Sequence, residues 1–223
     1  MSLTKRFATA VLAAVLLAGP AEAATLKWGG RADIYSLDPV SVASTSNLAF
    51  LNHIYEGLVR YGPNFEIEPA LATEWKLIDN RHWRFSLRQG VKFHNGADFD
   101  ADDVVASMKR VSDPNSPLRG NIPLYVDVKK VDDHTVDIEV SASSALFLND
   151  MTNIFMFDAQ WLKDNNSEKP TDFSGNVEGY ATHNTNGTGP FKLESRVPDS
   201  KTVLVVNDQW WDQRKHNLDR IEF

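Results

Sequence analysis

"EPALATEWKLIDNRHWRFSLRQGVKFHNGADFDADDVVASMKR" (68–110) contains the two clearest structural signals of the chain. In its first half, apolar and polar residues alternate on both sides of Asp79-Asn80, a pattern typical of a β-hairpin over 74–88. In its second half, apolar residues recur at helical spacing after Asp100, which predicts an amphipathic helix. The stretch therefore predicts a hairpin followed by a helix, in a fold that mixes α and β structure.

The acidic part of this stretch, Phe93–Val111, could in principle bind a metal ion. A calcium loop beginning at Asp98 would need glycine at its sixth position and glutamate at its twelfth, where the chain has Asp103 and Lys109. No second histidine lies at zinc-ligand spacing from His94. The residue pattern therefore argues against a metal site.

A capped helix accounts for the same residues. Asp100 stands at the N-cap, and Asp102 and Asp103 place negative charge in the first turn, where the helix dipole favours it. Phe99 and Val104 occupy the positions of a hydrophobic staple. Lys109 and Arg110 are expected at the other end, next to the last carbonyls. We predict a structural helix here, with no metal.

The rest of the chain also alternates between strand and helix patterns. The expected elements are a strand at 25–30, a helix over 44–58, a hairpin over 128–140, short helices at 143–151 and 158–165, a strand pair over 189–208, and a strand at 217–223. Since a natural domain seldom stops inside an apolar strand, we expect the chain to be a fragment of a longer protein.

The N-terminus has the pattern of a cleaved export signal. Lys5 and Arg6 precede an apolar run over 7–18, which is too short to span a bilayer. A Gly-Pro pair ends the run, and Ala-Glu-Ala precedes Ala24. We predict cleavage before Ala24 and a periplasmic location for the mature protein.

The net charge and the lack of cysteine disfavour some classes of partner and of membrane anchor. The 223 residues carry a net charge of −7, and loss of the leader with its two basic residues and one acidic residue makes this −8. That charge disfavours nucleic acid and anionic membrane surfaces as partners. The chain has no cysteine, which excludes disulfides and a lipid anchor on a cysteine. We expect a soluble protein that is not anchored in the membrane.

Signals for catalysis are weak. Gly187-Thr188-Gly189 lacks the residues that complete a phosphate-binding loop, and a strand pattern follows it. No Gly-x-Ser-x-Gly motif occurs, and the six histidines are scattered. Dispersed carboxylates leave open a secreted hydrolase, and a chaperone-like exported protein is a further alternative. We expect no enzyme, no cofactor and no metal.

Four stretches together resemble one family, the extracellular solute-binding proteins of the oligopeptide/dipeptide/nickel class that serve ABC importers. The stretch 68–110 resembles the family signature, and "HIYEGLV" (53–59) fits the segment before it. "NGTGPFKL" (186–193) and "VVNDQWWD" (205–212) are similar to two later family motifs. Thr185-Asn186 departs from the family pattern, and family members are more than twice as long.

The resemblance implies an α/β fold of the periplasmic-binding-protein type. It would consist of the mixed sheet of lobe I with an inserted α+β subdomain, and the second lobe would be absent from this chain. The implied boundaries are a signal peptide at 1–23, the start of lobe I at 24–49, the inserted subdomain at 50–177, and the return into lobe I at 178–223.

The resemblance also implies a function. The complete protein would be a monomeric periplasmic receptor that binds a peptide or peptide-like solute between two lobes and delivers it to the permease subunits of an ABC importer. Nickel chelates, opines or other small solutes are alternative ligands within the same family. A chain with only one lobe is expected to bind poorly, because a ligand between two walls loses half of its contacts.

Ligand contacts in such a receptor are expected at two places in lobe I and two in the subdomain. By position, the implied residues are Arg31, Ala32 and Asp33 after the first strand, Ser44, Thr45 and Ser46 at the helix start, Arg119 and Asn121 in one loop, and Asn153, Ile154 and Phe155 in another.

Overall fold

A computed structural model describes residues 24–173, 175 and 178–223, so the predicted leader at 1–23 lies outside the described residues. The strands are β1 (Ala24–Lys27), β2 (Val59–Tyr61), β3 (Ile67–Pro69), β4 (Ala72–Leu77), β5 (His82–Leu87), β6 (Tyr125–Asp132), β7 (Thr135–Val140), β8 (Phe191–Val197), β9 (Lys201–Val206) and β10 (Leu218–Glu222). The α-helices are α1 (Thr45–Leu51), α2 (Ala101–Val111), α3 (Phe147–Asp150) and α4 (Ala159–Asp164). Short 3₁₀ turns lie at Pro117–Asn121, Met151–Asn153 and Tyr180–Thr182.

A mixed four-stranded sheet joins the two ends of the described chain, in the order β1-β10-β9-β8. β1 runs parallel to β10, while β10, β9 and β8 pair antiparallel. Parallel neighbours need a long connection between them, and here almost the whole described chain intervenes. The strands predicted over 25–30, 189–208 and 217–223 are confirmed, although the first ends at Lys27.

A second sheet is antiparallel, in the order β4-β5-β7-β6, and both of its hairpins agree with the sequence prediction. In the first hairpin Trp75 pairs with Phe85 across the strands. Phe85, Val136 and Ile138 are buried on the inner face. All four strands fall inside the range 50–177 predicted for the inserted subdomain, whose exact boundaries remain a prediction.

The helix predicted over 44–58 is shorter than expected. It begins after the N-cap residue Ser44 and ends at Leu51, so the predicted extension to residue 58 is wrong. Beyond the helix the chain turns, and the carbonyl of Ile54 accepts a hydrogen bond from the Gly189 amide at 2.9 Å. The core buries Ile54, Tyr55 and Leu58 although they lie beyond the helix, so their apolar periodicity reflects tertiary packing and not a helix.

Helix α2 has the predicted cap. The Asp100 carboxylate accepts from the Asp102 amide at 2.8 Å, and the Asp103 carboxylate accepts from the Asp100 amide at 2.8 Å. This reciprocal pair is a capping box, with aspartate in the place of the usual glutamate. Lys109 and Arg110 lie in the last turn, as predicted. The Arg110 side chain, however, is only 1% exposed and forms an ion pair with Asp38, which the sequence did not indicate.

A close backbone contact explains the glycines of the NGTGPF segment. A Cβ atom on Gly187 would lie 2.0 Å from the Ile54 carbonyl oxygen, and one on Gly189 would lie 2.7 Å from the same carbonyl group. Only glycine permits this approach, since no real Cβ contact is that short. The contact packs the approach to β8 against the segment after α1.

The buried apolar side chains of both sheets belong to one cluster, so the described chain has a single core. Phe85 and Val136 represent the antiparallel sheet in it, and Leu204 and Ile221 represent the mixed sheet. Over the described residues, no helix is long and apolar enough to cross a membrane.

Candidate functional site

A surface cavity of about 410 Å³ opens where the parallel strands β1 and β10 end. In open α/β sheets, ligands bind beyond the carboxyl ends of the strands, and here two parallel carboxyl ends meet. The loop after β1, the turn between β8 and β9, and the residue after β10 form the walls. The lining residues are Gly29, Gly30, Arg31, Ala32, Asp33, Asp199, Ser200 and Phe223.

An aromatic contact fixes the floor of this cavity. Trp28 continues the pairing of β1 by donating its amide to the Glu222 carbonyl at 2.8 Å, and its ring meets Phe223 edge-on at 5.1 Å. A Cβ atom on Gly30 would lie 2.7 Å from the Phe223 ring. Glycine at this position therefore lets the aromatic ring lie directly beneath the loop.

The backbone of the cavity loop is free to bind. Residues 29–33 have no regular secondary structure, and within the described residues their five amide N–H groups donate to no protein acceptor. Backbone donors are strong hydrogen-bonding groups that need either water or a ligand. Unpaired N–H groups in this loop are therefore available to water or to a bound solute.

Asp33 is held in place by Arg196 of β8. The guanidinium donates to both carboxylate oxygens, at 3.2 and 2.9 Å, and also to the Ile34 carbonyl. The Asp199 amide adds a further bond to Asp33 at 2.8 Å. Partial burial alone would raise the pKa of Asp33, but the amides of Asp199 and Ile34 and the Arg196 guanidinium lower it overall. The carboxylate is thus ionised and occupied by the protein itself.

The predicted residues at the start of α1 follow the cavity loop in the sequence, and hydrogen bonds connect the helix to the segment after the loop. The Asn47 side chain accepts from the Tyr35 amide at 2.9 Å and donates to the Ser36 carbonyl at 2.8 Å, which ties the helix to the loop. Ser44 caps the helix, while Thr45 and Ser46 are exposed. Tyr35, which the sequence did not single out, is 65% exposed between the two segments.

The predicted subdomain residues do not reach the cavity. Arg119 and Asn121 are exposed on the 3₁₀ turn, which the Ser116 hydroxyl anchors to the Val40 carbonyl at 2.9 Å. Asn153 is exposed, but neither it nor any other predicted residue beyond Arg31, Ala32 and Asp33 lines the cavity.

Phe155 and its neighbour Ile154 have a different environment from the one expected of ligand contacts. Both side chains are 1% exposed, and the Phe155 ring stacks on Tyr55 with 6.2 Å between centroids. Residue 155 also forms a β-bridge with Gly57. Phe155 therefore belongs to the core. Direct contact between its side chain and a ligand remains a prediction, and this arrangement does not favour it.

Three of the sequence motifs meet at one buried carboxylate. Glu56, from the HIYEGLV segment, accepts from the Thr188 hydroxyl at 2.8 Å and from the indoles of Trp210 and Trp211 at 3.1 and 2.8 Å. Burial raises the pKa of Glu56, against the opposing effect of these donors. The motifs are therefore joined by a structural contact, away from the cavity.

The cavity is suited to holding a solute, with charged groups, backbone donors and an aromatic floor around one space. His53, His94 and His216 lie outside its lining. Across the part of the chain that the structure describes, no three histidine, aspartate or glutamate side chains are grouped as metal ligands would be. The arrangement can bind and orient a ligand.

The chain is similar in sequence to bacterial extracellular solute-binding proteins. A family model described as bacterial extracellular solute-binding proteins, family 5 Middle, matches residues 66–223. The periplasmic murein peptide-binding protein MppA of Escherichia coli (strain K12) is 31% identical over 207 residues, covering 84% of this chain and 37% of that protein. Heme-binding protein A of Haemophilus influenzae is 32% identical over 204 residues, covering 81% of this chain and 36% of that protein.

A solved structure shows the same fold. The binding protein AgaA of A. tumefaciens R10, in complex with agropinic acid, superposes with a TM-score of 0.78 at 26% identity, covering 90% of this chain and 39% of that one. The predicted periplasmic-binding-protein-like α/β fold is thereby confirmed. The chain spans less than half the length of these proteins, and its described residues contain no second lobe.

Proposed function

The chain belongs to the bacterial extracellular solute-binding proteins of family 5, and on this premise we propose that the protein is the periplasmic receptor of an ABC importer for a peptide or peptide-like solute. The observation that carries the proposal is the run of five uncommitted backbone N–H groups at residues 29–33, on the wall of a cavity of about 410 Å³.

An extended peptide fits this wall for a physical reason. Its carbonyl groups need donors when they leave water, and unpaired backbone N–H groups of the wall can supply them without specifying side chains. The volume of the cavity lies within the range of small-molecule sites, roughly 300–1,000 Å³. Side chains of the solute can then remain in hydrated space.

The remaining parts of the proposal follow the sequence expectations. Arg31, Ala32 and Asp33 form the ligand wall. Ser44, Thr45, Ser46, Arg119, Asn121 and Asn153 are proposed as outlying contacts to larger solutes, at exposed or half-exposed positions. Residues 1–23 are proposed as the export signal, and permease subunits as the partner. The acidic charge supports the proposal that the protein binds no nucleic acid. The resemblance to the family supports the proposal that the complete protein is a monomer.

The test is a thermal-shift and calorimetric titration of the complete, two-lobed protein with trialanine and pentaalanine, followed by mass spectrometry of the recovered peptides. We expect the melting temperature to rise with peptide and the peptides to be recovered intact. Cleaved peptides would instead establish the hydrolase alternative. A shift with agropinic acid or a nickel chelate but with no peptide would assign the solute to another class.

A matched pair of variants locates the site. Ala32→Trp places a large ring in the cavity and should abolish peptide binding. Ala142→Trp adds the same ring at an exposed position after β7, outside the cavity lining, and should bind as the unmodified protein does. Equal binding by both variants would mean that the cavity is not the site.

A further inference from the structure

One edge of the antiparallel sheet is strand β4, since the strand order is β4-β5-β7-β6. The Ile78 amide donates to the His82 carbonyl at 2.8 Å, and residues that bond inward and outward alternate along an antiparallel strand. The even-numbered residues from 74 to 78 therefore bond to β5, while the N–H and C=O groups of Trp75 and Leu77 point away from it. In the described part of the chain, no other strand or loop bonds to these outward groups.

The opposite edge of the sheet, β6, is less regular than β4. The pairing of β6 with β7 shifts in register at two places. The pairing of β4 with β5 shifts once, between Ala72 and Glu74, and is regular from there to Leu77. Because bulges disturb the row of outward groups, an irregular edge resists a further strand and a regular one is open to it. β4 is therefore the edge of this sheet that can accept a strand.

The side chains of β4 form an apolar row on one face of the sheet and a charged row on the other. Trp75 packs against the core, and Leu77 on the same face is 38% exposed. Glu74 and Lys76 are exposed on the opposite face, one on each side of Trp75 in the sequence. Glu74 accepts from the Ser86 hydroxyl at 3.1 Å, and across residues 24–173, 175 and 178–223 neither Glu74 nor Lys76 forms an ion pair. Two unmatched charges of opposite sign thus lie along the open edge.

We propose that β4 binds the β4 strand of a second copy of this chain, antiparallel to it, with Trp75 opposite Trp75 of the copy. In this register Glu74 lies opposite Lys76 of the copy, and Lys76 lies opposite its Glu74, so both charge pairs are attractive. The outward backbone groups of Trp75 meet those of the same residue in the copy, and the two indole rings lie side by side. The two sheets then form one continuous sheet about a two-fold axis.

Charge disfavours the neighbouring registers. Outward groups meet only where odd-numbered residues of one strand face odd-numbered residues of the other, so the next possible centres are Glu74 and Lys76. A pair centred on Glu74 would bring two carboxylates together, and a pair centred on Lys76 would bring two ammonium groups together. Like charges directly opposite each other are destabilising. The order Glu-Trp-Lys therefore selects one register for the pairing of identical edges.

This inference goes beyond the proposed receptor function and does not depend on any ligand. A contact through one short strand is smaller than the roughly 20–30 residues a side of a stable interface. We therefore expect a reversible dimer that forms at high protein concentration. The monomer proposed for the complete protein is the other state of this equilibrium.

Charge reversals on β4 test the register. Lys76→Glu and Glu74→Lys each place like charges opposite each other in a dimer, and both positions are exposed, so the fold should be kept. The double variant Glu74→Lys/Lys76→Glu restores both attractive pairs. Lys215→Glu, at an exposed position between β9 and β10, is the control for the change in net charge.

The measurement is sedimentation velocity of each protein over a series of concentrations, with circular dichroism to check the fold. We expect the dimer dissociation constant to rise by at least about tenfold in each single variant, because both charge pairs become repulsive. The double variant and Lys215→Glu should match the unmodified protein. An equimolar mixture of the two single variants should form heterodimers, since one strand then has two carboxylates and the other two ammonium groups.

Three results would overturn the proposal. One is a monomer at every concentration of the unmodified protein. Another is equal association in all the variants, which would assign the contact to a different surface. The third is a double variant that stays as weakly associated as the single variants, because the register then does not place Glu74 opposite Lys76.

Discussion

Arg110 is the largest fully buried side chain among the described residues. Its guanidinium contacts a carboxylate, a backbone carbonyl and an aromatic ring. It donates two bonds of 2.6 Å to the Asp38 carboxylate and one of 2.8 Å to the Ser167 carbonyl, with its guanidinium 4.7 Å from the centre of the Phe157 ring. The pair joins α2 to the segment before α1. Such pairs fix a register between elements more than they add net stability.

Removing one partner of this pair should be costly. Asp38→Asn leaves the Arg110 charge buried without a counterion, so we expect the free energy of unfolding to fall by about 3–5 kcal/mol in urea titrations. The control is Asp98→Asn, which breaks the exposed pair with Lys92 and should cost at most about 1 kcal/mol. Equal losses in the two variants would contradict the importance of burial.

His94 should make the stability depend on pH. Burial lowers its pKa from 6.5 to about 4, and its buried Nδ1 has no hydrogen-bond partner while Nε2 faces the Gly189 carbonyl at 3.0 Å. Below pH 6.5 the unfolded chain takes up a proton that the folded protein does not accept until about pH 4. The contribution of His94 to the free energy of unfolding should therefore fall as pH falls through this window, by at most about 1.4 kcal/mol per pH unit. Burial raises the pKa of Asp103 to about 7, and this carboxyl contributes with the opposite sign.

Urea unfolding at pH 7.5, 6 and 5 measures this dependence. Relative to the unmodified protein, His94→Gln should gain stability as the pH is lowered, since the titrating imidazole is gone. The control His183→Gln changes an exposed histidine paired with Glu178 and should keep the pH dependence of the unmodified protein. A pH dependence unchanged in His94→Gln would show that other groups are responsible.

At the scale of elements, the start of α2 depends on its cap. Asp100→Ala removes the acceptor for the Asp102 amide, so we expect the free energy of unfolding to drop by about 0.5–2 kcal/mol. Asp208→Ala, in an exposed turn, is the comparison and should change stability by less than about 0.5 kcal/mol. A melting shift with calcium or zinc that Asp100→Ala abolishes would instead indicate a metal site.

The contact between the approach to β8 and the segment after α1 should tolerate no side chain. Gly187→Ala would force a Cβ against the Ile54 carbonyl, and we expect a loss of about 1–3 kcal/mol or more in chemical denaturation. Gly120→Ala is the matched variant, because nothing lies within 4 Å of its Cβ position. Similar stabilities of the two variants would mean that the backbone relaxes at little cost.

At the scale of the whole molecule, one core joins two sheets. Because both sheets contribute to the same buried cluster, neither should unfold by itself. Far-UV circular dichroism follows all strands, whereas tryptophan fluorescence weights Trp28 beside the mixed sheet and Trp75 and Trp83 in the antiparallel one. We expect coincident urea transitions from both signals. Two separated transitions would show that the sheets form independent units.

The sequence by itself determined the elements whose signals are local. Both hairpins and the capped helix α2 follow from residues within about ten positions of each other, where alternation, turn residues and capping groups act directly on the neighbouring backbone. The family also followed from sequence, because its motifs are contiguous segments such as 186–193 and 205–212.

Only the tertiary structure decided the length of α1, the burial of Arg110 and the form of the cavity. Arg110 meets Asp38 across 72 positions, Trp211 meets Glu56 across 155, and Arg196 meets Asp33 across 163. No local pattern encodes such partners, since they come together only when the sheets pair. For the same reason the sequence could propose Asp33 as a ligand contact, but only the fold shows that Arg196 and the Asp199 amide already occupy this carboxylate.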